Sequence, residues 1–425
     1  MANQNPEQNR QGRGSFTVCC MGSIMASDDL ERIEEAFESG ILLRPSPTRR
    51  FHFVDLVRAI GLLRGVKGLG GGAAVERLGR MIGAADHHVL ILVDGLGLPL
   101  LERLPGNSFL RSMEPLTLQA VFPSTTACAM TTLATGRWPG RHAVPGWWTY
   151  LEEKRISIVT VRLQGRFTGK PIEDLGLTLE DLFPIRSFWS SMEGGSLSLL
   201  PEKIAHTPFS RYVSGGAPTA GYRDIDHAME IVKGAITGSP EPGLLFLYLP
   251  QLDALSHEKG PNHPKVPNLL QKIDTSLRSL QESIGNKARI IITADHGQCL
   301  VPGTRKFLLE RLDPLLTLLH THPTGESNVP IFHVLRGKEE RFCKAFRNRF
   351  GKHFALLSPE ETESLGLFGP EGISALMNRR LGTFIGIALG PAALCSWPPV
   401  KNGYYNEGIH GGLTPEEMLV PLVLA

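Results

Sequence analysis

Three near-continuous apolar runs, at residues 89–93, 244–249 and 289–293, constrain the fold of this 425-residue chain more than any other feature. None alternates apolar with polar residues, so none reads as a strand with one wet face. Strands buried on both faces, in a mostly parallel central sheet with helices on either side, read this way, and the fold class is α/β. Each run meets an aspartate at once or within a few residues: Asp94, Asp253 and Asp295. In open α/β sheets ligands bind beyond the carboxyl ends of the strands, so these carboxylates are expected to converge on one site.

Histidines stand at the same places. His296 follows Asp295 in Thr-Ala-Asp-His-Gly, His257 lies four residues past Asp253, and His410 sits in Gly-Ile-His-Gly-Gly. The four-residue spacing puts Asp253 and His257 on one face of a helical turn. Three carboxylates and three imidazoles form a mixed N and O ligand set suited to zinc, with manganese tolerated, and two ions are needed to use them all. Two metals about 4 Å apart can clamp the attacking and leaving oxygens of a phosphoryl displacement. A nucleophile is sought in residues 121–136, where Pro123 and Ser124 open a stretch of small residues that ends at Gly136. Thr126 falls in the first turn of the predicted helix, whose free N–H groups favour an anion. By chemistry alone Ser124 and Thr125 serve as well.

These pieces together resemble the alkaline phosphatase superfamily, and most of all its type I phosphodiesterase/nucleotide pyrophosphatase branch. The matching segments are Val-Asp-Gly at 93–95, Phe-Pro-Ser-Thr-Thr at 122–126, Ala-Thr-Gly at 134–136, Asp-Ala-Leu-Ser-His-Glu-Lys-Gly-Pro at 253–261, Ala-Asp-His-Gly at 294–297 and His-Gly-Gly at 410–412. The resemblance implies one metal held by Asp253, His257 and His410. It implies a second held by Asp94, Asp295, His296 and the hydroxyl of Thr126, which it makes the nucleophile. It also implies a phosphodiesterase or pyrophosphatase reaction on a small-molecule phosphate ester, through a phosphothreonine that water then releases. Monoester, phosphonate or sulfate ester hydrolysis on the same site is the alternative, and metal binding without turnover the alternative of another class. The eukaryotic nucleotide pyrophosphatases carry an aromatic residue directly after the nucleophile and an asparagine three residues after it. Ala127 and Ala129 stand there in this chain, which puts nucleotide substrates in question.

The length exceeds one ordinary domain, so a catalytic core carrying insertions is expected. The expected division is an N-terminal tail and helix at 1–40, the core at 41–300 and 400–425, and an inserted small α/β cap at 301–399. Within the cap a strand at 329–335, an amphipathic helix at 339–350, a strand at 353–357 and a turn at 366–369 are predicted. A helix capped by Ser27 and another at 54–63 are expected ahead of the first apolar run, with Gly68 to Gly72 as a flexible linker. Thr414-Pro415-Glu416-Glu417 reads as a capped helix start, and residues 419–424, interrupted by Pro421, as an edge strand. In the first insertion Trp147 and Trp148 read chiefly as core packing, and Lys170, Arg211 and Arg223 are the basic residues with no evident place. His320 and His322 form a His-x-His pair that reads as a loop.

A net charge of +2 with dispersed basic residues argues for no nucleic acid partner. No segment reaches the roughly 18 to 20 apolar residues of a membrane span. Six cysteines without a CxxC pair suit reduced thiols and a cytoplasmic location. Residues 16–25, behind Arg10 and Arg13, make a poor signal peptide broken by Cys19, Cys20, Gly22 and Ser23, and read as a tail. Met21 and Met25 are alternative starts.

Overall fold

The computed structural model describes residues 26–45, 50–238, 243–396 and 406–425. The features predicted within residues 16–25, among them Cys19, Cys20, Met21 and Met25, lie outside these. The central sheet has eight strands: β1 (Phe51–His52), β2 (His87–Val93), β3 (Leu116–Gln119), β4 (Ser196–Pro201), β5 (Thr219–Tyr222), β6 (Gly243–Leu249), β7 (Ala288–Thr293) and β8 (Leu419–Leu424). Their spatial order is β1-β3-β8-β7-β2-β6-β4-β5. The predicted apolar runs form β2, β6 and β7, neighbours at the middle of the sheet and all parallel. From His88 to Val93, β2 is buried at every residue, which is why no alternation is visible in its sequence.

β8 corrects the sequence reading. It is an interior strand, antiparallel to both β3 and β7, rather than an edge. Pro421 is tolerated there because pairing with β7 stops at Thr293↔Leu422, so its missing N–H falls past the end of that ladder. The Thr293 hydroxyl donates to the Pro421 carbonyl at 2.8 Å instead.

Helices cover both faces of the sheet, among them α1 (Ala26–Glu38), α2 (Phe53–Leu63), α3 (Thr126–Thr135), α4 (Gln251–Lys259), α5 (Lys265–Ile284) and the single turn α6 (Pro415–Met418). α1 starts one residue before Ser27, the predicted cap. The Gly68–Gly72 stretch is a turn pinned by buried Leu69 rather than a loose linker: a Cβ on Gly61 in α2 would lie 2.3 Å from the Leu69 side chain. It leads into the helix Ala73–Ile82, which the sequence reading did not mark.

A second, wholly antiparallel sheet has seven strands in the order Phe354–Leu357, Phe384–Ala388, Pro330–Phe332, Thr324–Gly325, Trp148–Leu151, Ile156–Val159, Gln164–Gly165. It draws three strands from residues 148–165 and four from 324–388. The helix Glu339–Phe350 buries Phe342, Phe346 and Phe350 along one face, and Phe342 and Phe346 pack on Phe332. Phe122, in the segment leading into α3, meets Phe368 with ring centroids 5.4 Å apart, which wedges that segment against the second sheet's core. Among the described residues no helix is long and apolar enough to cross a membrane.

Candidate active site

Parallel strands in matched register bring their carboxyl ends to one edge. Leu92 pairs with Thr293 and Val93 with Leu249, so the residues that follow β2, β6 and β7 emerge side by side. Asp94 leaves β2 directly, Asp295 and His296 leave β7, and Pro250 turns β6 into α4, which carries Asp253 and His257. Gly95 permits the close approach: its φ is +77°, and a Cβ there would lie 3.0 Å from the Asp253 Cα. His410 arrives from the far end of the chain, because Gly408–Ile409 pairs antiparallel with Cys299–Leu300, the short strand just beyond His296.

The six ligand candidates fall into two groups, Asp94 with Asp295 and His296, and Asp253 with His257 and His410. In the first, His296 Nε2 lies 3.4 Å from Asp94 Oδ1 and 3.4 Å from Asp295 Oδ2. In the second, His257 Nε2 lies 3.4 Å from Asp253 Oδ1 and 3.1 Å from His410 Nε2, which is itself 3.8 Å from that oxygen. The groups adjoin, since the His296 and His410 rings stack with centroids 3.7 Å apart.

All three histidines present the same nitrogen to the site. Each Nδ1 sits on a backbone carbonyl: His257 on Gly408 at 2.7 Å, His296 on Gly297 at 3.1 Å and His410 on Ser124 at 3.2 Å. A proton on Nδ1 donates to that carbonyl and leaves Nε2 as a lone pair aimed inward. Asn406 Nδ2 also lies 3.0 Å from His257 Nδ1. The inward lone pairs therefore face one another and carboxylate oxygens. Asp94 Oδ1 and Asp295 Oδ2 are buried without a hydrogen-bond partner. Unshared lone pairs converging in a buried place call for a cation. Around a tetrahedral ion with bonds of about 2.0–2.2 Å, neighbouring donor atoms lie about 3.3–3.6 Å apart, close to the spacings found here.

Electrostatics agree. Burial, with Asp295 and Asp253 adding repulsion, holds the Asp94 carboxyl well above the ordinary range, and burial also raises Asp295. On imidazole the push is the other way: His410 is held well below its usual range by burial, then by His296 and His257.

Of the three candidate hydroxyls, only Thr126 is partly exposed and faces these groups, 3.1 Å from His296 Nε2 and 3.5 Å from Asp94 Oδ2. It is the first residue of α3. Buried Ser124 donates to the Gly412 carbonyl at 2.8 Å and accepts from the Gly411 N–H at 3.2 Å. Buried Thr125 lies against the Glu326 carboxyl. Trp147 and Trp148 are only partly buried, under Arg162 and Arg166 respectively, so neither is core. Lys170 is exposed on the loop after the strand Gln164–Gly165, Arg211 donates to the His206 carbonyl, and Arg223 follows β5, three strands along from β2. His322 packs against Phe167 with the rings tilted by 55°, and neither it nor His320 belongs to a metal-binding group among the described residues.

Three side chains that sequence reasoning passed over support the site. The Tyr248 hydroxyl donates to Asp94 Oδ2, and the Gln298 amide donates to Asp253. Glu326, on the turn between Thr324–Gly325 and Pro330–Phe332, accepts from the Trp147 N–H at 2.6 Å, and burial pushes its carboxyl up to about 8. Tyr248 alone left a signal, since a tyrosine inside a buried strand needs a partner for its hydroxyl.

The type I phosphodiesterase/nucleotide pyrophosphatase family model matches residues 88–412. Among curated proteins no sequence match is found. Among solved structures, murine ectonucleotide pyrophosphatase/phosphodiesterase 5 is similar, at TM-score 0.60 and 17% identity, over 79% of this chain and 87% of that one. An inactive threonine-to-alanine form of the same murine protein, in complex with AMP, gives 0.58 at 17% identity over 79% and 86%. Phosphonoacetate hydrolase from Sinorhizobium meliloti, in complex with phosphonoformate, gives 0.57 at 13% identity over 79% and 89%.

Proposed function

Since the chain belongs to the type I phosphodiesterase/nucleotide pyrophosphatase family and is a phosphoester hydrolase, we propose that it cleaves small phosphodiesters, with Thr126 as nucleophile and two divalent ions, zinc by preference, as cofactors. The observation that carries this is the set of three Nε2 lone pairs and three carboxylates converging beside one partly exposed hydroxyl. Asp94, Asp295 and His296, with Thr126, would hold one ion, and Asp253, His257 and His410 the other. Bound there, the ions supply Lewis-acid charge that lowers the pKa of the hydroxyl and offsets charge on the phosphoryl oxygens.

The chain's own residues do the rest. Thr126 gives its hydroxyl proton to solvent, its Oγ1 attacks phosphorus, the Oγ1–P bond forms as the bond to the leaving oxygen breaks, and the leaving oxygen takes up a proton from solvent. Water then cleaves the phosphothreonine and returns Thr126 to its hydroxyl form. The first-turn N–H groups of α3 point at the phosphoryl group, and the helix dipole favours its negative charge. The inactive threonine-to-alanine form of the murine relative supports a threonine in this role.

Preference for a diester rests on charge. A monoester dianion carries one more negative charge, which enzymes meet with an added cationic group. Ala127, Cys128 and Ala129 beside Thr126 are all uncharged. A higher kcat/KM is expected for an aryl phosphodiester than for the matching monoester, measured on one zinc-loaded preparation. A monoester preference of tenfold or more, about 1.4 kcal/mol in transition-state binding, would reverse the assignment. We place the protein in the cytoplasm, a setting suited to the four described cysteines, which are all unpaired.

A further inference from the structure

We propose that Gln298 is a positioning residue that fixes the Asp253 carboxylate for the ion of the His257–His410 group, and so sets the affinity of that site separately from the other. The proposal rests on the two-metal reading above. Gln298 lies two residues beyond His296 and is 7% exposed. Its Nε2 donates to Asp253 Oδ1, and to the Asp253 backbone carbonyl at 3.2 Å. That Oδ1 is the oxygen turned toward His257 and His410.

The other two carboxylates are held by different donors, Asp94 by Tyr248, and Asp295 by the N–H groups of Gly95 at 3.4 Å and His296 at 3.1 Å. For the Asp253 carboxylate, Gln298 is the one hydrogen-bond donor among the described residues. Gln298 is itself confined, because a Cβ on Gly408 would lie 2.3 Å from its Oε1, and the Gly408 carbonyl is the acceptor that orients His257. A neutral amide suits the task. Lysine or arginine would grip the carboxylate more firmly but would set a positive charge beside the cation.

The test titrates the full-length zinc-loaded chain with a chromophoric chelator, which should remove two ions in two steps. Asp94→Ala and His257→Ala identify the step that belongs to each group. Gln298→Met keeps the length of the side chain and deletes the donor. It should weaken the step that His257→Ala abolishes by about 10- to 100-fold, the usual cost of losing an outer-shell partner, and leave the other within about threefold. Gln298→Glu, which keeps the shape and turns an oxygen toward Oδ1, should weaken the same step and serves if the methionine variant does not fold. Both steps unchanged, or both weakened alike, in either folded variant would overturn the proposal. Wild-type protein that takes up fewer than two zinc ions would overturn the two-metal reading, and this inference with it.

Discussion

Thr125 and Thr126 are adjacent, alike in chemistry and opposite in surroundings. Thr126 Oγ1 meets His296 and Asp94, whereas Thr125 is buried against Glu326. Thr126→Ala should lower kcat on an aryl diester by about 10³-fold or more, as loss of a nucleophile does, with metal content and melting temperature nearly unchanged. Thr125→Ala should cost less than about tenfold in kcat. The opposite ranking, read from steady-state rates and elemental analysis, would move the nucleophile by one residue. Glu326 makes a second prediction. Its carboxyl is raised from 4.5 to about 8 by burial, so between those values the folded chain holds a proton that the unfolded chain has lost. Stability therefore falls as pH rises through that window. Glu326→Gln removes this dependence, and its urea midpoint relative to wild type should be higher at pH 8.5 than at pH 5. A difference that stays constant with pH would contradict the assignment.

Elements differ in how much of them the sequence disclosed. β2, β6 and β7 were legible because burial on both faces leaves an uninterrupted apolar run, and their aspartates were legible because a strand end fixes its next residue locally. The interior place of β8 was not legible: whether a strand has one neighbour or two is decided by β3 and β7, both far upstream, and Pro421 is at home wherever a ladder has ended. Of the second sheet the strands near 330 and 354 were expected, but its extension to Trp148–Leu151 was not legible for the same reason, since Gly325 meets Trp148 only through space. Gln298 and Tyr248 make contacts of that kind too, so their residue types announced nothing of the partner. One element makes a prediction of its own. The loop after Gly408–Ile409 presses Gly411 against the second sheet at φ +120°, where a Cβ would lie 2.6 Å from Asn328 Oδ1 and 2.8 Å from the Glu326 side chain. Gly411→Ala should cost about 1–3 kcal/mol from strain and overpacking. It should also displace neighbouring His410, so loss of one metal equivalent by elemental analysis is expected. Full metal content with unchanged stability would show that the loop yields without consequence.

At the scale of the whole molecule, the two groups of candidate ligands join segments from β2, β6, β7 and the approach to β8, so ions held there should act as cross-links of the folded state. Free zinc at about 100 times Kd adds about 2.7 kcal/mol per site, provided the unfolded chain does not bind it. Chelation should therefore lower the melting temperature and lessen the calorimetric enthalpy, and zinc should restore both. An equal melting temperature with and without chelator would mean that the sites form no part of the fold's stability. The interior position of β8 has a consequence for biosynthesis. Among the described residues β1 and β3 join the rest of the central sheet only through β8, so they cannot take their place in it until some three hundred further residues have been made. His410 emerges only just before that closing strand. A chain that already carries Thr126 and five of the six ligand candidates is thus still without its last one, and the candidate site and the sheet beneath it are completed together.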